Sequence, residues 1–315
     1  VKVKTYDEVN PLEVLQLNMS VLEYPLTPEV VQAFHDHDRR ATRDLFYYAV
    51  VEGKLVGQAG LLTTQIETTE GPMKVGNAMA VCTDPGYARR GIARHLMAFL
   101  EEKARELQCR AITLATSRSR VSHHLYRDVG YIDLVLVWSA YNWRAAAGGP
   151  APRALEVRQA TEADLPLLEQ TFYRNTAGML GFVHRHEGFL QRNIHTREID
   201  ISEIHGVYQG GAAVGYLGAK RTGNDSFLLV RQAVLPGSTE LADVIKALQA
   251  FHKTPYVIVA DEVRLSTVEQ LRNHGYEPQV TWGTVMLRSL DDRLNFRELL
   301  GVTQGRFFMD CLDFT

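Results

Sequence analysis

The order of structural signals in the first half of this chain recurs in the second half. Val50-Val51-Glu52-Gly53-Lys54-Leu55-Val56-Gly57 reads as two β-rich runs joined by a glycine turn, and Val207 to Gly215 repeats it with one extra residue. Pro85-Gly86 returns as Pro236-Gly237, each followed by a helical pattern. The apolar run Ala111 to Thr116 reads as a buried strand, and Tyr256 to Ala260 is its counterpart. Leu125 to Tyr131 is matched by Leu271 to Tyr276, one residue shorter. Between the copies, Trp143 to Arg153 is rich in alanine, glycine and proline, the composition of a linker. Beyond it Val157 to Gln159 is a strand, and Thr161 with Asp164 predicts a reciprocal cap before a helix. A chain of 315 residues is long for one core and comfortable for two domains of about 150 residues. The expected division is 1–145 and 154–315, with a linker at about 144–153.

The chemistry concentrates in one turn. Val81-Cys82-Thr83-Asp84-Pro85-Gly86-Tyr87 ends a strand, and Arg89-Arg90-Gly91-Ile92-Ala93-Arg94 opens a helix. The first-turn N–H groups of a helix point outward and carry partial positive charge, which suits a pyrophosphate. Gly91 lets an anion approach the backbone, and Arg89 and Arg90 add charge with good geometry for phosphate oxygens. The helix then carries Ile92, Leu96, Phe99, Leu100, Ala104 and Leu107 on one face. Neither the G-x-G-x-x-G dinucleotide fingerprint nor the G-x-x-x-x-G-K-[ST] phosphate loop fits.

What this stretch resembles is the Arg/Gln-x-x-Gly-x-Gly/Ala signature of the GNAT superfamily of N-acetyltransferases. Gly91 and Ala93 match its last two positions, while Ala88 stands where the family prefers Arg or Gln. The family's second motif, Tyr-x-x-x-Gly-Phe/Tyr on a short helix after the fifth strand, is matched by Tyr126, Gly130 and Tyr131. The resemblance is strongest over Leu45 to Trp143. It implies an α+β fold, a mixed, largely antiparallel sheet flanked by helices, and with the repeat it implies two tandem GNAT-like domains, as in mycothiol-synthase-like proteins. The strand Ile132 to Tyr141 is then expected to close the first sheet.

The resemblance also implies direct transfer of an acetyl group from acetyl-CoA to an amine. Arg89, Arg90, Gly91, Ile92, Ala93 and Arg94 would hold the diphosphate. Val81, Cys82 and Thr83 would pair with the pantetheine arm in a gap between the fourth and fifth strands. Ser119 and Ser122, where the family often has Asn and Ala, could hydrogen-bond the same arm. Tyr126 would be the general acid for the departing thiolate. The base stays open between Glu67, Glu70, His123, His124 and a water chain. Cys82 as an acyl-carrying nucleophile is set against the commoner buried strand cysteine.

The second copy lacks these parts. Leu235-Pro236-Gly237-Ser238-Thr239-Glu240-Leu241-Ala242 has no arginine, and Glu240 would repel a phosphate. Leu271 stands where the first copy has Tyr126. The first domain is therefore read as catalytic, the second as degenerate. The acceptor is expected to be a small-molecule amine. A protein amine or a longer acyl-CoA is the alternative within catalysis, and a non-catalytic acyl-CoA-binding scaffold the alternative outside it.

Composition excludes several classes. A net charge of −3 without a long basic block leaves no footprint for nucleic acid. No apolar run approaches a membrane span and no signal-peptide pattern opens the chain. Cys82, Cys109 and Cys311 are isolated, so neither disulfide nor zinc is expected and a reducing cytoplasm fits. His35-Asp36-His37-Asp38 looks like a metal cluster, yet residues two apart point to different sides of a helix, and a solvated helix end is the expectation. His184-Arg185-His186 is discounted likewise, so no metal is expected. The aromatic tail Arg306 to Thr315 calls for docking, either on the second domain or with its carboxylate near the acceptor site of the first. Sheet edges of tandem domains often pair, which makes a homodimer one expected assembly.

Overall fold

Two helices cap themselves at the start of the chain. The Asn10 side chain accepts from Leu12 N ahead of α1 (Pro11–Val21), and Thr27 accepts from Val30 N ahead of α2 (Pro28–His37). Proline at each first turn agrees with both starts. The computed structural model describes residues 1–38, 40–41, 44–143, 155–310 and 313. The expected linker therefore lies outside the described residues, apart from its flanks. The chain forms two compact units that are not contiguous in sequence. Among the described residues the first comprises Val1–Leu134 and Thr284–Phe296, the second Val135–Gly283 and Arg297–Asp313.

In the first unit β1 (Lys2–Thr5), β2 (Phe46–Val51), β3 (Lys54–Ile66) and β4 (Met73–Thr83) pair antiparallel in that order. After the crossover helix α3 (Ile92–Glu106), β5 (Ala111–Ser117) runs parallel to β4, and α4 (Val121–Asp128) follows. The strands of β2 are apolar on both sides because helices cover both faces. Phe46 and Tyr48 pack under α1 and α2 with Val14, Leu17, Val30 and Phe34. Tyr47 and Ala49 face the other way, against Ile92, Leu96 and Leu100 of α3 and Tyr126 of α4. The end of α2 is less solvated than its sequence suggests. Asp38 is buried and paired with the buried Arg40 at 2.9 Å.

The sequence predicts that Ile132 to Tyr141 closes the first sheet. The structure corrects this. In β6 (Ile132–Asn142), Trp138, Ala140, Tyr141 and Asn142 belong to the second unit and pair antiparallel with β11 (Tyr256–Glu262). The first unit is completed instead by the later half of β12 (Glu277–Ser289). Met286 is buried in the core beside Leu96 and Leu100. Leu290 N donates to Arg110 O at 3.0 Å, and Arg110 pairs with Asp291 at 2.8 Å. Alternation along a strand says which faces it buries but not which sheet it joins. Both strands follow a Gly-Tyr pair with the same pattern, so only tertiary pairing separates them.

The second unit also contains β7 (Leu155–Gln159), α5 (Leu165–Asn175), α6 (Phe189–His195), β8 (Ile204–Gln209), β9 (Ala212–Thr222), β10 (Phe227–Val234), α7 (Leu241–His252) and α8 (Leu265–Asn273). Its sheet runs β6-β11-β10-β9-β8-β7, parallel only between β10 and β11. Thr161 and Asp164 form the expected capping box. Phe307, Phe308 and Met309 of the tail are buried, and Phe308 packs with Phe172 and Phe189 in this unit. The carboxylate end of the tail falls on residues outside the described ones.

A pair of histidines inside the second unit gives a pH prediction. His252 Nε2 lies 2.9 Å from His205 Nε2, and His205 Nδ1 lies 3.0 Å from Glu203 O. Burial, then the His252 neighbour, depresses His205 to about 4, while burial and Arg221 depress His252. An unfolded histidine protonates near 6.5, so the unfolded chain takes up the proton first as pH falls. The stability this pair contributes is complete above ~6.5 and is lost on acidification toward ~4. Tm is expected to fall over that window. His205→Gln should flatten the slope in a calorimetric pH series, and an unchanged slope would refute the assignment.

Candidate functional site

The end of β4 leads into a turn held by its own side chains. Asp84 Oδ1 accepts from Gly86 N at 2.8 Å and its other oxygen takes Lys54 Nζ at 2.9 Å, which fixes the turn. Arg89 and Gly91 then adopt left-handed φ values of 61° and 79°. Gly91 is the N-cap of α3 and no side chain caps this helix, unlike α1 and α2. A Cβ at Gly91 would meet nothing within 4 Å, so open space lies before the helix.

That space is a cavity of about 630 Å³. Its β4 wall is Val81, Cys82 and Thr83, and its α3 wall is Arg89, Gly91, Ile92, Ala93 and Arg94. Ser122 and Tyr126 of α4 line it as well. The gap exists because two parallel strands part. β4 and β5 pair only at Gly76↔Ile112 and Asn77↔Thr113. Beyond this, β4 bulges at Ala80, whose φ is 48°.

Two expected residues lie off the cavity. The Arg90 guanidinium stacks over the Tyr87 ring at 5.0 Å. Ser119 Oγ engages Ser117 Oγ at 2.8 Å in the turn before α4. Ser122 Oγ meets Thr116 Oγ1 at 3.2 Å. Sequence reasoning missed Arg120, Leu125, Val21 and Leu22, which line the cavity too. Arg120 is the N-cap of α4, six residues before Tyr126, and a cation at the start of the helix that carries the tyrosine is the signal that could have found it. Val21 and Leu22 end α1, far away in sequence.

Arg89, Arg94 and Arg120 are the charged lining residues, and none of the described lining residues is a carboxylate or a histidine. The four base candidates are therefore off the cavity. His123 is 6% exposed, with Nε2 3.0 Å from Asp133 Oδ1, and Thr284 Oγ1 donates to the same oxygen at 2.8 Å. Burial pushes Asp133 up, but the His123 and Thr284 hydrogen bonds outweigh it and hold the carboxyl below its usual range. His124 packs against His123, and Glu67 and Glu70 flank the turn between β3 and β4. Burial pushes the Cys82 thiol up to about 12, so it stays neutral and a poor nucleophile at neutral pH. Burial and the Cys82 neighbour push the Tyr126 hydroxyl up to about 12, with Arg120 opposing. Tyr126 is thus a neutral donor over the whole physiological range.

The donor set fits a diphosphate joined to an amide-bearing arm. Three arginines and an uncapped helix start supply the anion side. Thr83 Oγ1 is buried with no partner in the protein, a hydroxyl left over for a ligand. The second unit has nothing comparable at the equivalent place. Glu240 is the N-cap of α7, with its carboxylate 3.5 Å from His274. The ends of β10 and β11 are bridged by Arg231 and Asp261 at 3.0 Å. Phe308, Met309 and Asp310 lie against the same strand ends, Gln232 Nε2 donates to Asp310 at 2.6 Å, and only about 20 Å³ is left.

Residues 12–131 match the acetyltransferase (GNAT) family. No curated protein has a matching sequence. Among solved structures the fold is similar to a GCN5-related N-acetyltransferase from Anabaena variabilis, with 16% identity and a TM-score of 0.66 over 92% of this chain and 73% of that one. It is similar to Saccharomyces cerevisiae N-myristoyltransferase with bound myristoyl-CoA, with 10% identity and a TM-score of 0.61 over 91% and 82%. A tandem GNAT protein from the clavulanic acid biosynthesis pathway aligns with 16% identity and a TM-score of 0.53 over 91% and 98%. At these identities the likeness is one of fold.

Proposed function

We propose, with the GNAT acetyltransferase domain of residues 12–131 as premise, that this chain transfers the acetyl group of acetyl-CoA directly to the amine of a small molecule in its first unit. The observation that carries the reading is the cavity where β4 and β5 part, which brings the arginine-bearing start of α3 and the Tyr126 hydroxyl side to one space. Arg89, Arg94 and the first-turn N–H groups would hold the diphosphate, and the Val81 to Thr83 backbone the arm. A backbone N–H of β4 would stabilise the oxyanion formed on attack. Holding both reactants makes the step effectively unimolecular.

Tyr126 donates a hydrogen bond to the departing thiolate. With the phenol at about 12 and a thiol near 8.5, full proton transfer is uphill by roughly 5 kcal/mol. The bond therefore strengthens with developing charge while the proton stays on the phenol oxygen. With no acid–base side chain among the described lining residues other than tyrosine and cysteine, the amine loses its proton to water. A longer acyl-CoA is a second reading, favoured by the apolar lining from Val21, Leu22 and Leu125. A reducing cytoplasm is the expected setting: Cys82 and Cys109 are free buried thiols, and among the described residues no helix is long and apolar enough to cross a membrane.

The deciding experiment is thiol release from acyl-CoAs of graded length with a panel of amines. Acetyl-CoA with a small amine should be fastest, and no release with any pair would leave only a binding role. Calorimetric titration with acetyl-CoA is expected to give one site per chain, since the tail fills the second unit's groove. Two equivalent sites would overturn the assignment of the second unit as degenerate.

A further inference from the structure

Two carboxamides buried beneath the cavity answer one another. Asn18 of α1 and Gln58 of β3 are both 0% exposed. Asn18 Nδ2 donates to Gln58 Oε1 at 2.8 Å, and Gln58 Nε2 donates back to Asn18 Oδ1 at 3.1 Å. Asn18 Nδ2 also donates to Val14 O at 2.9 Å, and Gln58 Nε2 to Ala80 O at 3.3 Å. Every amide hydrogen of the pair therefore has an acceptor, which makes a buried polar pair specify one arrangement instead of weakening the core.

The last of these bonds reaches the bulge in β4. The ladder pairs Gln58 with Cys82 and Gly60 with Met79, so Ala80 and Val81 together oppose the single residue Ala59. Ala80 has a left-handed φ of 48°, which an L residue keeps only when its surroundings hold it there. The Gln58 amide donates to the carbonyl of this residue, a side-chain bond made at the point where the ladder register shifts. From the second bulge residue onward, Val81, Cys82 and Thr83 form the β4 wall of the cavity. Beyond Asn18, at the end of the same helix, Val21 and Leu22 line the cavity from another side.

We propose that the Asn18–Gln58 pair is a positioning element for acyl transfer. It holds the Ala80 bulge in its left-handed conformation and sets the β4 wall against the end of α1. Neither side chain lines the cavity, so both act through the backbone that does. The inference rests on the acyltransferase reading for its kinetic consequence but not for its structural one.

Gln58→Met keeps similar bulk and removes the amide. It is expected to lower kcat ten- to thirtyfold while the dissociation constant for CoA changes less than threefold, because the diphosphate is held at α3. Gln58→Met combined with Asn18→Leu leaves no orphan amide on either side, which keeps the test alive should the single variant fold poorly, and the same kcat loss is expected. Adding Ala80→Gly to Gln58→Met should return at least threefold of the lost rate, since glycine takes a positive φ without help. Full activity in folded Gln58→Met, or no return with Ala80→Gly, overturns the proposal. Hydrogen exchange in the ligand-free protein separates this outcome from failure of the enzymatic reading. Amides of Ala80 to Thr83 should exchange at least tenfold faster in Gln58→Met, with Met73 to Asn77 unchanged. Unaltered exchange at the bulge sinks the proposal whether or not an acceptor is ever found.

Discussion

Gly91→Val is expected to weaken CoA binding about a hundredfold and leave the chain folded. The residue is the N-cap of α3 at φ 79°, where an L side chain costs about 1–2 kcal/mol. Apart from its chain neighbours, no described residue comes within 4 Å of a Cβ built there, so the core is not disturbed. The damage falls on the ligand side. A branched side chain would stand in front of the first-turn N–H groups and shut a phosphate out. A hundredfold is about 2.7 kcal/mol, the loss of one or two hydrogen bonds to a charged oxygen. Gly91→Ala, with one methyl, should lose about tenfold on the same ground. Titration calorimetry with CoA measures both, and melting curves confirm folding. Affinity within threefold of the parent in Gly91→Val would move the diphosphate site away from this turn.

Tyr126→Phe is expected to lower turnover at least tenfold with CoA affinity nearly unchanged. The ring packs with Tyr131 at a centroid distance of 5.8 Å and belongs to the core around Leu96 and Leu100, and phenylalanine preserves that packing. What disappears is the hydroxyl, for which no described residue supplies a hydrogen bond that shifts its acidity. A tenfold loss is about 1.4 kcal/mol, modest for one hydrogen bond to a developing thiolate. Because burial holds the phenol at about 12, its ionisation should leave no limb in the rate profile below that pH. Equal turnover in steady-state assays of the two proteins would remove Tyr126 from the chemistry. A drop in both turnover and CoA affinity would mark it as a packing residue.

The local parts of this protein are legible along the chain. The turn from Pro85 to Gly91, the stripe of α3 and the short helix ending at Gly130 each depend on residues within a few positions of one another. Such features are encoded by propensity, capping and a left-handed glycine. The same holds for the capping box of Thr161 and Asp164. It also holds for the loss of arginine at Leu235 to Ala242, which is a statement about residue types alone.

Long-range partnerships were not legible. His123 looks like a free base beside Tyr126 until Asp133, itself held by Thr284, is seen to engage it. Arg89 and Arg90 are equivalent as letters, and only the fold turns one to the cavity and the other onto Tyr87. The tail docks on the second unit, one of the two places expected for it, but only the fold shows that Phe308, Met309 and Asp310 lie against the parted ends of β10 and β11.

Residue order along the chain was enough to give the kind of element at each place, the repeat of those elements, and the cationic turn that opens α3. Tertiary structure alone decided which sheet receives β6 and which receives the end of β12, and which amide supports the bulge at Ala80. The reason is physical. Helix starts and turns are settled by neighbours along the chain, whereas strand partners and buried hydrogen bonds are chosen by free-energy differences between groups that meet only after the chain has folded.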